Sequence, residues 1–152
     1  MTTLLLDASV LLAAFDPADD HHESARTLLE DEDATLATLD LARYEVTNVA
    51  VRAWRAPDSV TPLLAAVERL ADDGGVIPST DTLLTRAAEI AERHTISVYD
   101  AAYAAAADEG GHRLVSGDER DLVSKNLAAL PADAKDEASG QGGRGLQPDG
   151  PA

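Results

Sequence analysis

Short apolar runs at residues 3–6, 34–39, 76–78 and 112–115, each followed by a helical pattern, constrain this chain more than any other feature. Strands this short alternating with helices predict an α/β domain on a mainly parallel sheet, since parallel neighbours need a long crossover between them. The helical stretches fall at 9–15, 21–30, 40–55, 59–73, 81–94, 97–109 and 118–130. Asp16-Pro17, Pro57, Gly74-Gly75 and Gly110-Gly111 punctuate them. In the 40–55 stretch the core candidates are Leu41, Tyr44, Val46, Val49, Val51 and Trp54. In 59–73 they are Leu63, Leu64, Val67 and Leu70.

A length of 152 residues suits one domain with its own hydrophobic core. From Pro131 onward, PADAKDEASGQGGRGLQPDGPA has almost no large apolar side chains and cannot repay its ordering entropy. The expected organisation is therefore a folded domain over 1–130 and a disordered tail over 131–152. No apolar run approaches the roughly 20 residues that cross a bilayer. The N-terminal MTTLLLDASVLLAAFD lacks the basic start of a signal peptide and is interrupted by Asp7, so it reads as a strand running into a helix. The absence of cysteine excludes disulfides and thiolate metal sites. A soluble, cytoplasmic protein without membrane association is expected.

Twenty-eight acidic residues against twelve basic ones give a formal net charge of −16. The lysines are Lys125 and Lys135, and the remaining cations are arginines. Such a surface repels nucleic acid at low ionic strength. The composition suits a cytoplasm of high salt, where the Debye length falls to about 3 Å and the repulsion is screened. Solubility alone is the plainer explanation.

Individually, the acidic residues have ordinary explanations. Asp7 and Asp118 each follow a strand and precede a helix, where an N-capping aspartate belongs. Asp100 stands in a first helical turn, where the helix dipole favours an acid. Glu45 could be a solvated helix residue. Their joint placement points elsewhere. Asp7 and Asp118 lie at the carboxyl ends of strands, the edge at which open parallel sheets bind ligands. Asp100 heads a helix, Ala101–Ala107, that is apolar on most of its circumference and so packs on several sides. Four converging carboxylates would repel one another, and a divalent cation relieves that cost. Oxygen-only ligands favour Mg²⁺ or Mn²⁺ over zinc.

The segments LLLDASVLLAAF, RYEVTNVAVRAW, ISVYDAAYAAAA and LVSGDERDL resemble, in order and spacing, the four motifs of PIN domains, especially VapC-type toxins of toxin–antitoxin pairs. The resemblance spans residues 3–130. It implies a three-layer α/β/α sandwich and a Mg²⁺- or Mn²⁺-dependent endoribonuclease that hydrolyses RNA phosphodiesters. It also implies a homodimer and an antitoxin laid over the active-site cleft. Position by position, Asp7, Glu45, Asp100 and Asp118 match the four motif acids, with Asp7, Asp100 and Asp118 as metal ligands. Ser9 and Ser116 match hydroxyl positions that fix carboxylate rotamers, and Asp121 falls where many members carry one further acid or polar residue. The fourth motif is often Thr-x-Asp; Ser116-Gly117-Asp118 departs mildly and keeps the hydroxyl.

A cation at this site would neutralise charge on the phosphodiester and activate an attacking water, leaving a 5′-phosphate and a 3′-hydroxyl. Arg43, Arg52, Arg55, Arg113 and Arg120 lie in or beside the motifs. Arg43, Arg52 and Arg120 are the candidates for RNA contact, against the simpler reading of solvation or salt bridging. His21, His22, His94 and His112 share no ligand spacing, and Trp54 and Tyr103 read as core. A haloacid dehalogenase-type phosphatase would need an acid where Ser9 stands and a catalytic lysine, and a receiver domain fails on similar grounds. Two rivals remain: a catalytically silent PIN-like module that binds RNA or protein, and a housekeeping PIN nuclease of RNA maturation.

Overall fold

The computed structural model describes residues 2–134. Four parallel strands, β1 (Leu4–Leu6), β2 (Leu36–Leu39), β3 (Gly75–Ile77) and β4 (Arg113–Val115), form one sheet in the order β3-β2-β1-β4. β1 is central, with Leu4 in register with Leu36 on one side and Arg113 on the other. The chain steps outward from β1 to β2 to β3 and then returns across β1 to place β4. The strand order therefore reverses between β1 and β4, and in open parallel sheets a ligand crevice opens at the carboxyl end of such a junction.

The alternation of side chains along β1 sorts the two cores. Leu4 and Leu6 pack with residues of α1 (Ala8–Phe15), α2 (His22–Leu29), α3 (Leu41–Arg52) and α4 (Val60–Ala71). Leu5 points the other way, onto α5 (Asp81–His94) and α6 (Val98–Gly110). The result is an α/β/α sandwich, with apolar strands because both faces are covered. Seven consecutive residues of α6, Ala101 to Ala107, are buried. Six of them are alanines, whose small side chains let the helix lie close to both the sheet and α5. Thr80 and Ser97 cap α5 and α6 by accepting the N–H of Leu83 and Asp100. Gly111, at φ +64°, ends α6 in the left-handed conformation that glycine adopts without strain.

Three expectations change. The third helix stops at Arg52, and its buried stripe is Ala42, Val46 and Ala50, four residues apart. Tyr44 and Val51, expected in the core, are 77% and 46% exposed because they lie off the Ala42–Val46–Ala50 stripe with which α3 packs against α4 and α1. The expected helix over 118–130 is instead a five-residue π-turn, Glu119–Val123, followed by turns that bring Ala129 into a parallel bridge with Val115. Residues 131–134, assigned above to the tail, are helical, and Ala134 is fully buried in the core on the α1–α4 side of the sheet. The rest of the expected tail, 135–152, lies outside the described residues. No helix among the described residues is long and apolar enough to cross a membrane.

Candidate active site

Asp7 emerges from β1 and caps α1, its Oδ1 accepting the N–H of Val10 at 3.3 Å. Its own N–H donates to the Val115 carbonyl of β4, which fixes it at the junction of the two strands. Two hydroxyls grip the carboxylate: Ser9 donates to Oδ1 and Ser116 to Oδ2, both at 2.5 Å. The direction of those protons is set by a second set of bonds. Ser9 Oγ accepts the N–H of Gly117 and Ser116 Oγ accepts the N–H of Asp118, both at 2.9 Å. A hydroxyl has one proton, so each serine, with an amide on its oxygen, aims that proton at Asp7. Capping and site-building are thus the same act at this residue.

Asp118 repeats the device after β4. Its Oδ1 accepts the N–H of Asp121 at 3.0 Å, and the π-turn folds Asp121 back beside it. Single π-turns cluster at functional sites because they re-aim side chains that a regular helix would separate. Asp100, in the first turn of α6, completes the group. Carboxylate oxygens of Asp100, Asp118 and Asp121 all lie within 4.8 Å of one another. Glu45, on α3, is reached from the other side: Tyr103 of α6 donates its hydroxyl to Glu45 Oε1 at 2.7 Å.

Electrostatics link these acids in a row. Burial pushes the Asp7 carboxyl up to about 6, despite the bonds from Ser116, Ser9 and Val10, and the Glu45 charge pushes the same way. Glu45 is raised by burial and by the charge of Asp100, against the lowering effect of Tyr103. Asp100 is raised by burial and then by Asp118 and Asp121. Burial, and after it the charge of Glu45, holds the Tyr103 phenol far above its ordinary range, so it stays protonated and remains a donor.

The structure therefore brings Asp7, Glu45, Asp100 and Asp118 into one chain of interacting carboxylates. Asp121, the weakest assignment from sequence, belongs to the tightest trio, whereas Asp7 is buried outside it and is linked to Asp118 through Ser116. Tyr103 was read as core alone. It is buried, yet it also positions Glu45, and its place three residues after Asp100 on one helical face was the available signal. The arginines are engaged or peripheral: Arg43 pairs with Glu68 at 3.1 Å, Arg120 stands 3.8 Å from Asp121, and Arg52 is exposed at the end of α3. The donor set, all oxygen and strongly negative, fits a hard divalent cation.

Residues 4–126 match the PIN domain family. The chain belongs to the PIN-domain family. Ribonuclease VapC3 of Pyrobaculum aerophilum is 32% identical to this PIN domain over 126 residues, covering 80% of this chain and 93% of that protein. Among solved structures, VapC20 of Mycobacterium tuberculosis, described as a sarcin–ricin loop cleaving toxin, superposes with a TM-score of 0.65 at 22% identity, over 78% of this chain and 92% of its own. A toxin–antitoxin complex from Klebsiella pneumoniae aligns with a TM-score of 0.63 at 16% identity, over 85% of this chain and 98% of its own. At such identities the likeness of this PIN domain to the solved structures is one of fold.

Proposed function

We propose that this PIN domain is a Mg²⁺- or Mn²⁺-dependent endoribonuclease and the toxin of a type II toxin–antitoxin pair. The observation that carries the proposal is the row of carboxylates, Asp7 to Asp121, at the one junction where the strand order reverses. So many acids with raised pKa values in one crevice are costly without a ligand of opposite charge. Asp7, Asp100 and Asp118 would hold the cation, with Asp121 close enough to join them. Oδ1 of Asp7 already accepts two hydrogen bonds, whereas Oδ2 accepts one and keeps a lone pair for a ligand. When bound, the cation supplies charge neutralisation at the phosphodiester and eases deprotonation of the attacking water.

Glu45 is assigned the proton-accepting role. Burial and Asp100 make it more basic than a free glutamate, and with Oε1 engaged by Tyr103, Oε2 would accept the proton of the attacking water. Ser9 and Ser116 keep the Asp7 carboxylate in one rotamer, so that no reorganisation is needed when substrate binds. Water attack on phosphorus with departure of the 3′-oxygen leaves 5′-phosphate and 3′-hydroxyl ends. The toxin assignment draws support from the VapC3 relative and from the toxin–antitoxin complexes among the fold neighbours. An antitoxin partner, a homodimer and a cytoplasmic setting belong to the same proposal.

The test is cleavage of defined single-stranded RNAs with Mg²⁺, with Mn²⁺ and with chelator, beside Asp7→Asn. Cleavage that requires the cation, yields 5′-phosphate ends and vanishes in Asp7→Asn is expected. Undiminished activity in that variant, or in chelator, refutes the assignment.

A further inference from the structure

Tyr99 is 64% exposed and directly precedes the cluster acid Asp100 in the first turn of α6. Helical geometry relates it to the site through Tyr103. On α6, Tyr99, Asp100 and Tyr103 lie within about 100° of arc, with Tyr103 in the middle. Tyr103 is the buried member of that face and reaches across to Glu45. Tyr99, one turn nearer the helix start, therefore continues the same face outward into solvent, directly before the cluster acid Asp100. An aromatic ring left this exposed one turn from Tyr103 and next in sequence to a half-buried cluster acid offers apolar surface to a ligand.

The charges of the chain say what kind of contact would be useful. RNA-binding surfaces ordinarily grip phosphates with lysine and arginine, and that grip weakens steeply with salt. Here the net charge is −16, Arg43 is paired with Glu68, and Arg120 stands beside Asp121. A ring that stacks on a base needs no positive charge and releases no counterions, and single-stranded RNA is commonly held in this way.

Resting on the ribonuclease reading above, we propose that Tyr99 is a substrate-binding residue: its ring stacks on an unpaired base next to the phosphodiester positioned at Asp100 and Asp118. The grip on RNA is then largely aromatic, and it persists at salt concentrations that abolish phosphate contacts.

The test uses the full chain and a single-stranded RNA hexamer carrying 2-aminopurine, whose fluorescence is quenched by stacking. Binding is measured in chelator, and KM and kcat are measured with Mn²⁺. Tyr99→Ala is expected to weaken binding and raise KM by roughly tenfold to a hundredfold, with a smaller change in kcat and with quenching lost. Tyr99→Phe and Tyr99→Trp should restore both, because stacking needs the ring and not the hydroxyl. The ratio of wild type to Tyr99→Ala should hold between low and molar salt. An unchanged KM in Tyr99→Ala, with the wild type active, overturns the proposal and leaves the ribonuclease reading standing. Loss of self-association in Tyr99→Ala at unchanged RNA affinity overturns it too, and assigns the ring to a protein interface. A wild type that neither binds nor cleaves RNA removes the ribonuclease reading and this proposal together.

Discussion

At Asp7 the fold works against the ionised carboxylate. Its pKa rises from 3.8 to about 6, so as the pH climbs the unfolded chain releases this proton first. The contribution is fully favourable below pH 3.8 and is lost by about pH 6, a difference of about 3 kcal/mol. Thermal melts in chelator should therefore show Asp7→Asn gaining on the wild type between about pH 4 and pH 7, by on the order of 1–3 kcal/mol. A variant no more stable than wild type at neutral pH contradicts this. Tyr103→Phe removes the donor on Glu45 Oε1 and should lower kcat about tenfold with little change in KM, as loss of an orienting partner does. Retained kcat would show that Glu45 needs no such support. The positions of Asp7, Asp100 and Asp118 were legible in the sequence because strand ends and helix starts announce themselves. The Tyr103–Glu45 bond was not, since it joins residues 58 apart on helices that lie on opposite faces of the sheet.

At the scale of the element, the sequence marked strands by short apolar runs and helices by caps, and both signals hold where the local chemistry is strong. Thr80, Ser97 and Gly111 act as the caps their types suggest. Prediction failed where tertiary contacts decide. A helical pattern over 118–130 gives way to a π-turn because Asp118 holds the Asp121 amide and the chain must then return to pair Ala129 beside Val115. On α3 Tyr44 and Val51 pointed to the wrong face, since the side packed against α4 and α1 is the Ala42–Val46–Ala50 stripe. Small residues matter elsewhere too. Close approach governs the link between α4 and β3. A Cβ on Gly74 would lie 2.5 Å from the Leu36 carbonyl oxygen and 2.7 Å from its carbon, and backbone of a buried strand cannot yield cheaply. Gly74→Ala should cost roughly 1–3 kcal/mol in denaturant unfolding, as overpacking does, with the carboxylate cluster untouched. A stability equal to wild type would mean that the β2–β3 edge is looser than its register implies.

For the molecule as a whole, charge sets the conditions. With 28 acids and 12 bases, the pairs at Arg26–Glu30, Arg43–Glu68 and Arg86–Asp108 are exposed and stabilise little. Self-repulsion among the remaining acids is relieved by screening. The melting temperature should rise by several degrees between about 0.1 M and 2 M NaCl; a flat or falling profile contradicts a surface adapted to salt. Under the proposed function, the carboxylates at the β1–β4 junction together hold one divalent cation. Titration with Mn²⁺, read by the loss of the free-ion paramagnetic resonance signal, measures this binding. One tight site is expected in the wild type, weakened at least about tenfold in Asp100→Asn and unchanged in the exposed-surface variant Glu89→Gln. Equal binding by the wild type and Asp100→Asn would contradict it.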